Sequence, residues 1–155
     1  MSDQIKEIAN NKKARFEYEI LETFEAGLVL RGTEVKSLRH GKANISDAYA
    51  KIKDGEVYIH QMNISLYEQG NRFNHDPLDV RKLLLHKKEI RRLTGKLAEK
   101  GLTLVPLKLY FNEQGRAKLL IGVGKGKKSF DKRETEKNRD WNREKGRILK
   151  EGGRG

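Results

Sequence analysis

Apolar and polar positions alternate over several short stretches of this chain, the pattern of strands with one buried face. Phe16, Tyr18, Ile20 and Phe24 alternate with Glu17, Glu19 and Thr23, and Ala26-Gly27 offers a turn into a further strand over 28–32. The period then changes. Thr33 can cap a short helix with Val35 and Leu38 on one face, and Gly41 can end it. Asp54-Gly55 is the sharpest local signal, a two-residue hairpin turn between alternating runs. Such a turn pairs Ile52 with Val57 and Ala50 with Ile59 on a core face. On the other face it pairs Lys53 with Glu56, Lys51 with Tyr58 and Tyr49 with His60, a polar surface carrying aromatics.

Beyond a Gly/Asn-rich loop at 70–77, residues 81–85 form a short apolar run. Ile90, Leu93 and Leu97 recur at helical spacing, with His86 in the cap region and Gly101 as the stop. Val105, Leu107, Leu109 and Phe111 then alternate with Pro106, Lys108 and Tyr110. Leu119, Ile121 and Val123 follow across a turn at 112–115. Pro106 cannot donate to a strand ladder, which places it at an edge or a bulge. Roughly six short strands with two helices predict a mainly β fold, best matched by a small antiparallel barrel of the oligonucleotide-binding type. A strand–helix sandwich of the RNA-recognition-motif kind is the alternative.

Composition narrows the partners. A length of 155 residues predicts one domain, and the net charge of +12 predicts an anionic partner, nucleic acid before membrane. The absence of cysteine excludes a disulfide framework, a thiolate zinc site and a cysteine nucleophile, and fits a reducing compartment. The N-terminal stretch MSDQIKEIANNKKAR has no signal-peptide apolar run, and no apolar run approaches the ~18 residues of a membrane span. The charge is uneven. Residues 125–155 hold twelve Lys and Arg against six Asp and Glu, half the excess charge in a fifth of the chain. Their large apolar residues are Phe130, Trp141, Ile148 and Leu149, too few to offset the entropy of ordering alone. The expectation is a core domain over 1–124 and a basic tail over 125–155, disordered or helical, joined by GVGKGKK as a flexible basic hinge.

Catalytic readings find little support. GVGKGKKS at 122–129 lacks the glycine a phosphate-wrapping P-loop needs at its sixth position, where Lys127 stands. His40, His60, His75 and His86 have no metal-ligand spacing, and Glu17 and Glu19 read as a solvated strand face. The basic residues suit phosphate contacts better: Lys12, Lys13 and Arg15 before the first strand, Lys36, Arg39 and Lys42 around the short helix, and Lys82 and Lys118 within apolar stretches. A merely solubilising charge run is the competing reading for the 122–129 segment.

Longer ordered blocks carry a resemblance. FEAGLVLRGTEVKSLRHGKANISDAY (24–49), FNHDP (73–77), RKLLLHKKEI (81–90), TLVPLKLYF (103–111) and GVGKGKKSFDKRE (122–134) resemble the small protein B family, whose bacterial members bind transfer-messenger RNA. The resemblance runs from about residue 11 to the end of the chain. It implies an oligonucleotide-binding-type barrel and a non-enzymatic role in trans-translation, the rescue of stalled ribosomes. By position it implies RNA contacts at Asn11, Glu25, Leu84 and Lys118, with Lys12, Lys36, Arg39, Lys42 and Lys82 fitting the same basic surface. Glu25 can accept a base amino proton; Leu84 is either an RNA contact or an ordinary core leucine, since its strand phase is ambiguous. The resemblance further implies a tail that folds as a helix in the ribosomal mRNA path, near the decoding centre. It assigns that contact to Lys125, Lys127, Lys128, Phe130, Asp131, Lys132, Arg133, Trp141, Ile148, Leu149 and Lys150. Some family members have His at the position of Phe130, which keeps stacking possible but not imidazole hydrogen bonding. The implied partners are transfer-messenger RNA and the ribosome, in the cytoplasm, for a monomer with no cofactor, metal or membrane. The rivals are a small nuclease and a structural ribosomal or chromosome-associated protein.

Overall fold

The computed structural model describes residues 5–69 and 74–127. In chain order the elements are β1 (Lys6–Asn10), α1 (Lys12–Glu17), β2 (Tyr18–Leu28), α2 (Gly32–Arg39), β3 (Ala43–Asn44), β4 (Tyr49–Lys53), β5 (Glu56–His60), β6 (Asn63–Ile64), β7 (Arg81–Leu84), α3 (Lys87–Leu97), β8 (Leu102–Phe111) and β9 (Ala117–Gly126). Seven strands form one antiparallel sheet in the order β1-β8-β9-β2-β7-β5-β4. The sheet curls until its β4 edge lies against β8, giving the barrel its wall. The barrel, not the sandwich, is therefore the architecture, of the oligonucleotide-binding kind. Phe24, Ala26, Val57, Ile59, Leu83, Leu109, Leu119, Ile121 and Val123 fill its interior, with Leu38 of α2 and Ile90 and Leu93 of α3 at its ends.

The hairpin follows the expected register at every pair, from Tyr49↔His60 to Lys53↔Glu56. Asp54 and Gly55 both take positive φ, 52° and 76°, as a turn matched to strand twist requires. Four other expectations need correction. Phe16 and Glu17 lie in α1, not in a strand, because Asn11 caps that helix by accepting from the Ala14 N–H at 3.2 Å. Ala14 is thereby buried against Val105 and Leu107 in a second, smaller core outside the barrel wall. Ala26-Gly27 is no turn: β2 runs unbroken to Leu28, pairing with β9 and then β7. Thr33 does not cap α2. Arg31 occupies the cap, its N–H donating to Glu34 Oε1 at 2.7 Å, while the Thr33 hydroxyl bonds His75 Nδ1 at 2.9 Å.

The alternation of Val105, Leu107, Leu109 and Phe111 is broken by a register shift between Pro106 and Lys108. One extra residue reverses the side-chain phase. Val105 and Leu107 consequently face α1, whereas Leu109 and Phe111 face the barrel interior. Pro106 sits at this bulge inside the sheet, not at its edge.

The fourth correction concerns the hinge. Gly122–Gly126 of GVGKGKK belong to β9, where Lys125 pairs with both Glu19 and Leu102, and the Lys127 N–H donates to the Glu17 carbonyl at 3.0 Å. The glycines are packing choices. A Cβ on Gly122 would stand 2.9 Å from Leu107 Cδ1, and one on Gly124 would stand 2.9 Å from Tyr18 Cβ. Their absent side chains let neighbours from β8 and β2 close over the strand.

Candidate nucleic-acid interface

On the outer face of the barrel the register sets Leu84 beside Gly27, Gly27 beside Lys118, and Lys118 beside Tyr110. One row of side chains thus crosses β7, β2, β9 and β8. Glu25 stands two residues along β2 on the same face, and the Tyr110 hydroxyl donates to its Oε2. Leu84, Gly27 and Lys118 of this row, with Glu25, floor a groove of about 760 Å³. Val35 of α2, His86 and Glu89 of α3, and Arg116 before β9 line it. Gly27 keeps the floor low: a Cβ there would lie 3.3 Å from Leu84 Cβ and 3.7 Å from Lys118 Nζ. Leu84 resolves its ambiguity, because it is 50% exposed while Leu83 is fully buried. The groove therefore offers an apolar contact for a base or sugar at Leu84 and a cation for phosphate at Lys118. Glu25 Oε1, without a partner among the described residues, is an acceptor for a base amino group.

The remaining expected residues fall elsewhere. Asn11 is 5% exposed, and its side chain is used inside the protein, Nδ2 donating to the Pro106 carbonyl at 2.9 Å and Oδ1 capping α1. It positions α1 and the exposed Lys12 and Lys13. Lys36, Arg39 and Lys42 are also absent from the groove lining. Lys36 and Lys42 flank Tyr67, over whose ring Lys36 Nζ sits at 5.4 Å, with His40 stacked on Tyr67 and Lys42 Nζ 4.0 Å from Glu68; the Arg39 carbonyl accepts from Lys6 Nζ at 3.3 Å. Lys82 is half-buried on β7, with Nζ 3.5 Å from Glu56. Lys125 is exposed at the end of β9. Lys128, Phe130, Asp131, Lys132, Arg133, Trp141, Ile148, Leu149 and Lys150 lie outside the described residues. His75, one of the four histidines weighed for metal, is buried with both ring nitrogens engaged, by Thr33 Oγ1 and the Ile64 carbonyl, each at 2.9 Å.

The family model for SmpB protein matches residues 8–151. The chain belongs to the SmpB family. It is 62% identical over 148 residues to the SsrA-binding protein of Mesorhizobium japonicum, covering 96% of this chain and 93% of that one. It is 60% identical to the SsrA-binding protein of Nitrobacter hamburgensis, covering 94% and 93%. Among solved structures it resembles a chain in "tmRNA-SmpB: a journey to the center of the bacterial ribosome", with a TM-score of 0.65, 57% identity, and coverage of 77% of this chain and 84% of that chain.

Gly27, His86 and Arg116 complete the groove of this SmpB-family chain, and no sequence signal placed them there; Tyr110 supports it from beneath through Glu25. Tyr110 was legible as a strand residue, but its phase follows from the bulge after Pro106. Burial first, and then the adjacent Glu25 carboxylate, push the Tyr110 hydroxyl above the usual tyrosine range. The hydrogen bond to Glu25 therefore persists at neutral pH. The sign of the linkage follows. With a folded pKa above the unfolded value of about 10, the contribution to stability is complete below pH 10 and declines as pH rises beyond it. Tyr110→Phe should remove that decline, which urea unfolding of both proteins between pH 8 and 11 would measure. An equal alkaline slope would show that the Glu25–Tyr110 contact does not titrate.

Proposed function

We propose that this chain is an RNA-binding adaptor that holds the tRNA-like part of transfer-messenger RNA in the groove at Glu25, Leu84 and Lys118 and brings it to stalled ribosomes. The observation that carries this reading is their convergence: three residues from β2, β7 and β9, far apart in sequence, line one groove with an apolar, an acceptor and a cationic member. Membership of a family whose relatives are named SsrA-binding proteins, and likeness to a chain in a tmRNA–SmpB ribosome structure, support the same partners. The adaptor works in the cytoplasm, as a monomer and without a catalytic step of its own; Asn11 acts through α1. A nuclease would need convergent acids, bases or metal ligands, and the two groove carboxylates are otherwise engaged, Glu25 by the Tyr110 hydroxyl and Glu89 by the His86 N–H. Sequencing the RNA that co-purifies with the full chain tests the function. Dominance of one structured RNA with a tRNA-like end is expected; a random sample of cellular RNA would overturn it.

The basic segment beyond Lys127 is assigned to the ribosome, including Asp131, Lys132 and Arg133, together with Lys125 and Lys127 at the end of β9. Truncation after Lys127 keeps every described strand pair, so the truncated protein should unfold cooperatively and bind transfer-messenger RNA without supporting peptide tagging. Asp131→Ala, Lys132→Ala and Arg133→Ala together should leave RNA affinity near normal and strongly reduce tagging in a reconstituted assay. Normal tagging by the triple variant would remove the ribosomal role from these residues.

A further inference from the structure

The exposed face of α3 makes choices that work against its own stability. Lys87 and Lys88 occupy the first turn, where the helix dipole disfavours cations. Arg91, three and four residues on, extends the same face. All three are exposed, and none has an acidic partner among the described residues. The neighbouring charges are already committed: Arg92 to Glu22 at 2.6 Å, and Glu89 to the His86 N–H at 3.0 Å. Gly95 lies one turn beyond Arg91, in the last turn of the helix and without positive φ. A Cβ there would meet nothing within 4 Å, so alanine would fit and favour the helix. Three unpaired cations and an unneeded glycine on one helix face suit close approach by a polyanion better than they suit the fold.

The position of this face names the polyanion. His86 and Glu89 line the groove, and Lys87, Lys88 and Arg91, next to them along the same helix, form its outward side. We propose that this face binds the sugar-phosphate backbone of the transfer-messenger RNA lying in the groove, with Gly95 leaving room for the backbone to approach the helix. The proposal rests on the groove reading above. It extends the interface from base and sugar contacts on the barrel to a phosphate track along α3.

The test uses the full chain and the isolated transfer-messenger RNA, titrated at several salt concentrations. The helix variant is Lys87→Ala, Lys88→Ala and Arg91→Ala together, and the groove variant is Glu25→Gln with Lys118→Ala. The helix variant should melt at an unchanged or higher temperature, bind about tenfold more weakly, and lose about 2–3 from the slope of log affinity against log salt. Gly95→Ala should likewise raise the melting temperature and weaken binding. Unchanged affinity and slope in the helix variant, with loss in the groove variant, would overturn the α3 track and leave the groove reading intact. Normal binding by both would overturn both. Normal RNA binding by the helix variant with weakened retention on ribosomes would also overturn the proposal, assigning the face to ribosomal RNA. A lowered melting temperature in both α3 variants would remove the premise that this face opposes the fold.

Discussion

Arg81→Ala is expected to lower the unfolding free energy by about 3–5 kcal/mol, the cost of stranding a buried charge, and the melting temperature by about 10 °C. Arg81 and Glu34 form an ion pair whose side chains are 2% and 4% exposed, with Arg81 Nε donating to Glu34 Oε2. The guanidinium also donates to the carbonyls of Met62, Asp76 and Pro77, at 2.6, 3.2 and 3.1 Å. The other Glu34 oxygen accepts from the Arg31 N–H. One side chain of β7 therefore ties α2 to Met62, before β6, and to the Asp76–Pro77 turn. Removing it leaves a buried carboxylate unpaired and the Met62 carbonyl without a donor, while the Asp76 and Pro77 carbonyls keep the Asp79 and Ile64 N–H groups; stranding the carboxylate costs far more than the pair contributes over an apolar replacement. Arg81→Lys should recover little, since one ammonium cannot span these acceptors in the guanidinium's planar geometry. Thermal melts of the three proteins check this; a wild-type melting temperature for Arg81→Ala would show that water satisfies the site.

The second large effect is on binding. Leu84→Ala with Lys118→Ala is expected to weaken transfer-messenger RNA about a hundredfold. Leu84 contributes apolar contact and Lys118 a charge-assisted hydrogen bond, together about 3 kcal/mol. Stability should barely change, because Leu84 is exposed and Lys118 lies outside the core. Filter binding alongside a melting curve separates the two effects. Binding within twofold of wild type would move the RNA off the groove.

Much of the fold was legible because it depends on local chemistry. The Asp54-Gly55 turn sets the β4–β5 register on its own, and Ile90 and Leu93 mark the buried face of α3. What failed depended on distant neighbours. The 16–20 alternation looked like a strand until Asn11 and the surface formed by Val105 and Leu107 selected a helix for its first two positions. The glycines at 122 and 124 read as a hinge because their partners, Leu107 and Tyr18, come from other strands. In the candidate site, Glu25 and Leu84 follow only from family resemblance, Lys118 also from being a cation within an apolar stretch, and no local pattern joins them. Gly27 and Tyr110 escaped notice because their role exists only in the cross-strand row. Lys36, Arg39 and Lys42 fit the groove surface by charge, and charge carries no direction: Val35 faces the groove, while Lys36 sits over Tyr67.

The most direct test of the groove as the RNA site is contact itself. A photo-crosslinking side chain placed in the full chain at position 84, in place of Leu84, should form an adduct with the tRNA-like part of transfer-messenger RNA, suppressed by excess unlabelled RNA. The same probe at position 66, exposed beside Tyr67, serves as the comparison. Adducts from position 84 within the tRNA-like part are the predicted result. Adducts from position 66 alone, with none from position 84 in a protein that still binds the RNA, would contradict the account.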